Sequence, residues 1–247
     1  LFFTNRGRCY WLRVYDIPEM QRAARGRALA NILSMHEGEV LTKVMPVDRF
    51  DSKRYVFFAT SFGTVKKTPL DAYSRPRAGG IIAINLEPGD TLVGVDLTTG
   101  EDQIILATRN GLAIRFKESD VRSMGRDATG VRGMDLRDGD VVVDMAVARP
   151  GQDLLTVCEG GMGKKTSLEE YRLTRRGGKG VINIRITERN GKVVALKAVN
   201  DDDDLVMITQ SAQMLRTSVN ELREIGRATQ GVRLIRVEEG DRVVAVA

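Results

Sequence analysis

Residues 56–68, VFFATSFGTVKKT, decide the fold, because their pattern recurs along the whole chain. An apolar run of strand-forming residues leads into a tight turn at Gly63, and a half-polar strand follows. The same run into a turn recurs at residues 1–7, 104–111, 154–161 and 205–212. The turn positions, Gly7, Gly63, Gly111, Gly161 and Ala212, lie 48 to 56 residues apart. The sequence therefore predicts five copies of one unit of about 50 residues.

Two further landmarks keep their order in every copy. A second glycine opens another strand 17 to 19 residues after the turn, and a polar, glycine-containing turn before valine-rich sequence comes next. The second glycines are Gly26, Gly80, Gly130, Gly180 and Gly231. Each unit therefore has about four strands, and a four-stranded sheet of this size buries both faces only when copies stack.

These landmarks favour an all-β fold, a propeller-like ring of four-stranded blades with about five repeats visible. We expect a single domain over residues 1–247, with approximate repeats at 1–50, 51–98, 99–148, 149–199 and 200–247. The sequence is compatible with five or six blades in the intact domain and with either a closed or an open ring.

Composition excludes several classes of protein. With 247 residues and 42% hydrophobic content, the chain can bury a core as one large all-β domain or two ordinary domains. Cys9 and Cys158 are far apart and have no ligand-spaced neighbours, so neither a disulfide framework nor a zinc site is indicated. No run of 18 apolar residues indicates a membrane span. We expect a cytoplasmic protein.

Positive charge is concentrated in five windows that surround the second glycines. The formal net charge is +5, and residues 21–27, 74–80, 122–132, 172–180 and 223–233 hold 15 of the 38 Lys and Arg residues. Their only acidic residues are Asp127 and Glu224. Because each window has the same place in its unit, closing the units into a ring would align the windows on one circumference. Such a belt suits a curved polyanion, although any single window taken alone also fits a solvated turn.

The candidate DNA-binding residues come from the windows and from the strands after the hairpin turns. The window candidates are Arg22, Arg25, Arg27, Arg75, Arg77, Arg122, Arg126, Arg172, Arg175, Arg176, Lys179 and Arg227. The strand candidates, which would extend the track, are Lys66, Lys67, Arg115, Lys117, Lys164, Lys165 and Arg216. Residues 172–180, RLTRRGGKG, form the strongest window, since glycines let a backbone approach phosphates closely. Aromatic residues are only 5% of the chain and do not interleave with the windows, which favours duplex phosphate contacts over single-strand stacking.

No stretch carries the pattern of a catalytic or metal site. Residues 163–166, GKKT, fail the spacing of a phosphate-binding loop. The acidic run at residues 201–204 lacks the glycine of a calcium loop and is interpreted as a solvated linker. His36 is the only histidine and has no evident nucleophile partner. We therefore expect no catalytic residues, metal or cofactor in this chain.

Across essentially all its residues, the chain resembles the C-terminal domain of the A subunit of bacterial DNA gyrase. The resemblance is carried by GTVKKT at residues 63–68, RFKES at 115–119, GVRG at 130–133, KGV at 179–181, TERNG at 187–191 and TQGV at 229–232. It implies a β-pinwheel, a propeller variant whose blades exchange strands, with double-stranded DNA wrapped around the outer edge. It also implies a bias of the parent type IIA topoisomerase toward ATP-dependent negative supercoiling. The implied partners are the rest of the topoisomerase A subunit, which links the domain to the ATPase B subunit, in a nucleoid-associated bacterial setting.

One motif departs from the family pattern. The family's signature box, QRRGGKG, belongs to the first blade, whereas the nearest match here is TRRGGKG at residues 174–180, in the fourth repeat. A trimmed first blade is consistent with gyrase, and a displaced or degenerate box would favour the A subunit of topoisomerase IV, the closest alternative. A propeller scaffold that binds peptides is the alternative from another class, and it predicts weak salt dependence. A propeller enzyme would need convergent acid and base groups, which the sequence does not supply.

Overall fold

The computed structural model describes residues 1–21, 23–24 and 26–247. Within these residues the regular structure is β-strand, apart from single-turn 3-10 helices. The 3-10 helices span Val14–Asp16, Leu29–Asn31, Leu70–Tyr73, Glu118–Asp120, Leu168–Glu170 and Val219–Glu221. None of the helices in the described part of the chain is long and apolar enough to cross a membrane.

The strands follow the five repeats. The first repeat contains β1 (Phe2–Thr4), β2 (Arg8–Tyr10) and β3 (Leu41–Val44). The second contains β4 (Tyr55–Thr60), β5 (Thr64–Pro69), β6 (Ile81–Ile82) and β7 (Leu92–Thr98), and the third contains β8 (Gln103–Thr108), β9 (Leu112–Lys117), β10 (Val131–Arg132) and β11 (Val142–Ala148). The fourth contains β12 (Asp153–Cys158), β13 (Met162–Ser167), β14 (Leu173–Thr174), β15 (Val181–Ile182) and β16 (Val193–Val199). The fifth contains β17 (Asp204–Thr209), β18 (Met214–Ser218), β19 (Val232–Arg233) and β20 (Val243–Val246).

Neighbouring repeats exchange strands. The sheets, here called blades 1 to 5, have the strand orders β3-β1-β2-β6, β7-β4-β5-β10, β11-β8-β9 with β14 and β15 both on β9, β16-β12-β13-β19, and β20-β17-β18. In blades 1 to 4 the outermost antiparallel strand, β6, β10, β15 or β19, therefore comes from the following repeat. We call these four the donated strands. This exchange is the arrangement that the family resemblance implied.

The hairpin turn that opens each repeat is shaped by the segment that follows the donated strand. Gly111 and Gly161 have φ values of 86° and 74°, a left-handed conformation that costs little only for glycine. A Cβ on Gly111 would lie 2.3 Å from the Ile184 carbonyl oxygen, and one on Gly161 would lie 2.4 Å from that of Ile235. The fifth repeat has Ala212 at this position, and within the described residues its sheet receives no donated strand. The glycine is therefore required by strand exchange as well as by the turn.

The blades form a ring in which β3, β7, β11, β16 and β20 are the innermost strands, each contacting the next. Apolar clusters fill the spaces between blades, for example Phe57, Ile104 and Met145. Ion pairs also join inner strands, between Lys43 and Asp96 at 3.4 Å and between Asp144 and Lys197 at 2.9 Å. The prediction of an all-β, propeller-like ring of five blades is confirmed.

Candidate nucleic-acid interface

The basic windows lie along the outer edge of the blades. In blade 2 the Met124 N–H donates to the Lys67 carbonyl at 2.8 Å, and in blade 4 the Ile225 N–H donates to the Lys165 carbonyl at 2.8 Å. In blade 3 the Thr174 hydroxyl donates to the Arg115 carbonyl at 3.1 Å. Lys67, Arg115 and Lys165 each lie four residues after the hairpin turn, so three windows meet their blades at the same point.

The window of the second repeat has the corresponding place in blade 1. The Trp11 indole N–H, four residues after the Gly7 turn, donates to the Tyr73 carbonyl at 2.8 Å. The Arg8 guanidinium of β2 donates to the Gly79 carbonyl at 2.5 Å. In the first window, Arg22 and Arg25 lie outside the described residues, and Arg27 is exposed. Four windows therefore lie beside the outer strands of four successive blades.

Most of the window side chains face solvent. The exposed candidates are Arg27, Arg75, Arg77, Arg122, Arg172, Arg175 and Lys179, whereas Arg126, Arg176 and Arg227 are half-buried. In the described part of the chain, the side chains of Arg175 and Lys179 make no hydrogen bond or ion pair with protein groups. Their positive charges are therefore available to an external anion.

Two arginines that the sequence analysis did not single out join the same surface. Arg132 and Arg233 are exposed and occupy the outermost strands, β10 and β19, of blades 2 and 4. Both lie two residues after a second glycine, in the sequence GVR. The recurring GVR sequence after the second glycine was the signal that could have found them.

Lys66 and Lys164, by contrast, are fully buried, which corrects the expectation that they extend the exposed track. The Lys66 amino group donates to the carbonyls of Ala83 at 2.6 Å and Gly125 at 3.0 Å. The Lys164 amino group donates to the carbonyls of Gly226 at 3.0 Å and Arg227 at 2.5 Å. Burial lowers the pKa of Lys66 to about 7 and that of Lys164 to about 8.

Lys67, Lys165 and Arg115 are also buried and have partners within the ring. Lys67 lies 3.7 Å from Glu118, and Lys165 lies 2.6 Å from Asp201. The Arg115 guanidinium donates to the carbonyls of Leu168 at 2.8 Å and Tyr171 at 3.0 Å. The physical reason is the same for all five side chains: the next repeat folds over the outer strand and covers it.

The other two strand candidates are exposed. Lys117 lies at the end of β9, and Arg216 on β18 forms an ion pair with Asp204 across the β17–β18 hairpin. The partner carboxylate offsets the charge of Arg216. Of the strand candidates, only Lys117 and Arg216 therefore remain on the exposed surface.

The acidic, histidine and cysteine side chains of the described residues do not converge on one site. Among the described residues, no group of three or more His, Cys, Asp or Glu side chains could hold a metal ion. Asp201 is the partner of Lys165, and Asp203 accepts the Asn200 N–H at 2.7 Å. His36 is exposed at a turn. Cys9 and Cys158 are buried free thiols, and burial raises the pKa of each to about 12.

Comparisons with known proteins place this arrangement in a family. A solved C-terminal domain of DNA topoisomerase IV matches all of this chain and 77% of its own with a TM-score of 0.91 and 30% identity. A solved DNA gyrase A C-terminal domain matches 99% of this chain and 80% of its own with a TM-score of 0.87 and 23% identity, which shows the shared fold.

The relatives in sequence are named as A subunits of DNA gyrase. The protein from Klebsiella oxytoca is 49% identical over all of this chain, and that from Escherichia coli K12 is 47% identical. The chain spans 28% of the length of each of these relatives. The family model for the DNA gyrase C-terminal domain, beta-propeller, matches residues 1–48, 54–99, 102–149, 152–200 and 203–247. This chain belongs to the family of DNA gyrase C-terminal domains.

Proposed function

We propose that this domain binds double-stranded DNA along its basic rim and bends the duplex around the ring without covalent chemistry. The observation that carries the proposal is the register of the basic windows. Four of them meet the outer edges of four successive blades, with Arg75, Arg77, Arg122, Arg172, Arg175 and Lys179 exposed. Equal spacing around a ring suits contacts that repeat along a curved phosphate backbone.

The energetics favour contacts to phosphates over reading of bases. Bending a duplex smoothly by about 40 to 90 degrees over about 20 to 30 base pairs costs on the order of 1–6 kcal/mol. Several charge contacts spaced around the rim would offset that cost. None of the 3-10 helices of the described residues exceeds four residues, so none has the length of a recognition helix in a major groove. The proposal therefore predicts binding with little sequence preference and a steep dependence on salt.

The names of the relatives extend the proposal to the parent assembly. Because they are A subunits of DNA gyrase, we propose that this domain works with the rest of such a subunit, which in turn joins it to an ATPase B subunit. Wrapping at the rim would then bias the parent type IIA topoisomerase toward negative supercoiling.

A topology assay tests the proposal directly. Relaxed closed circular DNA is incubated with increasing amounts of the domain, relaxed again with a separate topoisomerase, and freed of protein before its linking number is measured. We expect a positive change in linking number that grows with the amount of bound domain. Binding without any change in linking number would reduce the domain to a DNA binder that does not wrap. Absence of salt-dependent DNA binding would favour a peptide-binding scaffold instead.

A further inference from the structure

Three of the basic windows cross the boundary between neighbouring blades at the rim. The Arg126 guanidinium donates to the Ile82 carbonyl at 3.1 Å, that of Arg176 to the Arg132 carbonyl at 2.9 Å, and that of Arg227 to the Ile182 carbonyl at 2.6 Å. Each arginine lies four residues before its second glycine, and each acceptor is the last residue of a donated strand. The same contact is therefore built at the boundaries of blades 1 and 2, 2 and 3, and 3 and 4.

Backbone hydrogen bonds accompany each arginine. The N–H of Asn85 donates to the Ala128 carbonyl at 3.3 Å, that of Asp135 to the Gly178 carbonyl at 3.0 Å, and that of Arg185 to the Thr229 carbonyl at 2.8 Å. These three donors lie five residues after their second glycines. Each of these windows therefore packs against the outer strand of one blade and is hydrogen-bonded to the segment that follows the donated strand of the preceding blade.

Buried lysines hold the windows on blades 2 and 4, and one of them also reaches the preceding blade. Lys66 lies in blade 2, and its amino group joins Ala83, which follows the donated strand of blade 1, to Gly125 of the window. Lys164 lies in blade 4, and its amino group donates to two carbonyls of its window, those of Gly226 and Arg227. Blade 3 has Ile114 at the corresponding position, and there Arg176 also donates through Nε to the Asp120 carbonyl at 3.0 Å.

We propose that Arg126, Arg176 and Arg227 are positioning residues, which fix the angle between neighbouring blades and thereby the curvature of the DNA path. Their guanidinium groups are half-buried and engaged with backbone carbonyls. The exposed arginines of the same windows, Arg122, Arg172 and Arg223, make no such contact within the described residues and supply charge to the phosphates. The part of this inference that concerns curvature rests on the proposed function.

Charge-conserving variants separate the two roles. The triple variant R126K/R176K/R227K keeps every positive charge but loses the planar fork that reaches the carbonyls. The matched control is R122K/R172K/R223K, whose three positions lie eight residues before the same second glycines. Thermal unfolding of both variants is measured first. If the triple variant does not fold, R176K alone replaces it, because Arg176 contacts two carbonyls.

Hydrogen exchange of the DNA-free domain tests the blade contact itself. In the positioning variant we expect the amides of Asp135 and Arg185 to exchange about tenfold faster than in the wild type, since a charge-assisted hydrogen bond that closes this boundary is lost. The control variant leaves both rates within about twofold of the wild type. Unchanged exchange in the positioning variant, or equal acceleration in both variants, would overturn the inference.

The topology assay tests the consequence for DNA. Because net charge is the same, we expect duplex affinity within about threefold of the wild type for both variants. The linking change per bound domain falls in the positioning variant and stays at the wild-type value in the control. Faster exchange together with a wild-type linking change would overturn the claim about curvature. If the wild type itself gives no linking change, the proposed function fails, whereas the exchange measurement still decides the blade contact.

Discussion

Replacing Arg175 and Lys179 with glutamine removes two positive charges from the rim without removing any contact inside the protein. Both side chains are exposed, and within the described residues neither has a hydrogen-bond or ion-pair partner. We therefore expect R175Q/K179Q to fold with wild-type stability, since surface substitutions of this kind change the free energy of unfolding by less than about 0.5 kcal/mol. The expected effect on DNA binding therefore comes from the two lost charges alone.

The size of the effect follows from counterion release. Each phosphate contact contributes about 0.9 to the slope of log K against log salt concentration, so two lost contacts make the slope about 1.8 less steep. Between about 50 mM and about 200 mM salt, the affinity gap between wild type and variant shrinks about tenfold as a result. Fluorescence anisotropy with a duplex of about 40 base pairs, titrated at four or more salt concentrations, measures both slopes.

The control removes the same charge from the centre of the ring. Lys43 on β3 and Lys197 on β16 belong to the innermost strands, where they pair with Asp96 and Asp144. Such partly exposed pairs contribute up to about 1 kcal/mol each, so K43Q/K197Q is expected to fold. We expect its salt slope to match the wild type. An equal reduction of the salt slope in both variants would show that net charge governs binding. The assignment of the rim as the binding surface would then be refuted.

Three further predictions concern the protein without DNA. In denaturant unfolding, G161A should lower the free energy of unfolding by at least about 2 kcal/mol, because alanine is strained at φ 74° and its Cβ would meet the Ile235 carbonyl. The control A212G should change the free energy of unfolding by less than about 1 kcal/mol. Cys9 and Cys158 should react with a thiol reagent only as fast as the chain unfolds, because burial raises the pKa of each thiol to about 12; labelling of the native state at pH 8 would contradict this. Burial lowers the pKa of Lys66 from 10.5 to about 7, so between those pH values the unfolded chain binds more protons than the native one. The free energy of unfolding should therefore rise with pH over this range, and in K66M it should rise less steeply.

The repeat itself could be predicted because its marks are local. The turn at Gly111, the second glycine at Gly130 and the polar turn at Gly139 are fixed by backbone conformation, and each has a positive φ value of 86°, 119° or 72°. Spacing between such marks gives the number of blades, and composition between them gives the position of each basic window. Strand exchange, by contrast, joins two repeats, and it was implied by the family resemblance rather than by these local marks.

The burial of the strand lysines could not be predicted in the same way. In β5 the alternation of Thr64, Val65, Lys66 and Lys67 suggested one polar face toward solvent. The structure buries both lysines, because a segment about 60 residues later, around Met124 and Gly125, covers the outer strand. That contact links two repeats, whereas alternation reports only on one strand. The available signal was an arginine four residues before the second glycine in four of the five repeats, since charge alone does not require a fixed position; the second repeat has Pro76 there.

Strand exchange makes the rim a joint property of adjacent repeats. In blades 2 and 4 a lysine, Lys66 or Lys164, reaches the carbonyl of a glycine, Gly125 or Gly226. In blade 3 the corresponding residue is Ile114, and the window above it has Gly178 where the windows of blades 2 and 4 have Ala128 and Thr229. A Cβ on Gly178 would be 3.5 Å from the Ile114 Cδ1 atom.

The residue beneath each window and the window above it are therefore matched across a repeat boundary. Under the proposed function, loss of one exposed charge would remove a single phosphate contact, whereas loss of one boundary arginine, Arg126, Arg176 or Arg227, would change the angle at which the next contact is presented. For a duplex that follows several blades, the error in angle accumulates along the path. The arginines at the blade boundaries should for that reason matter more to wrapping than any single exposed arginine does.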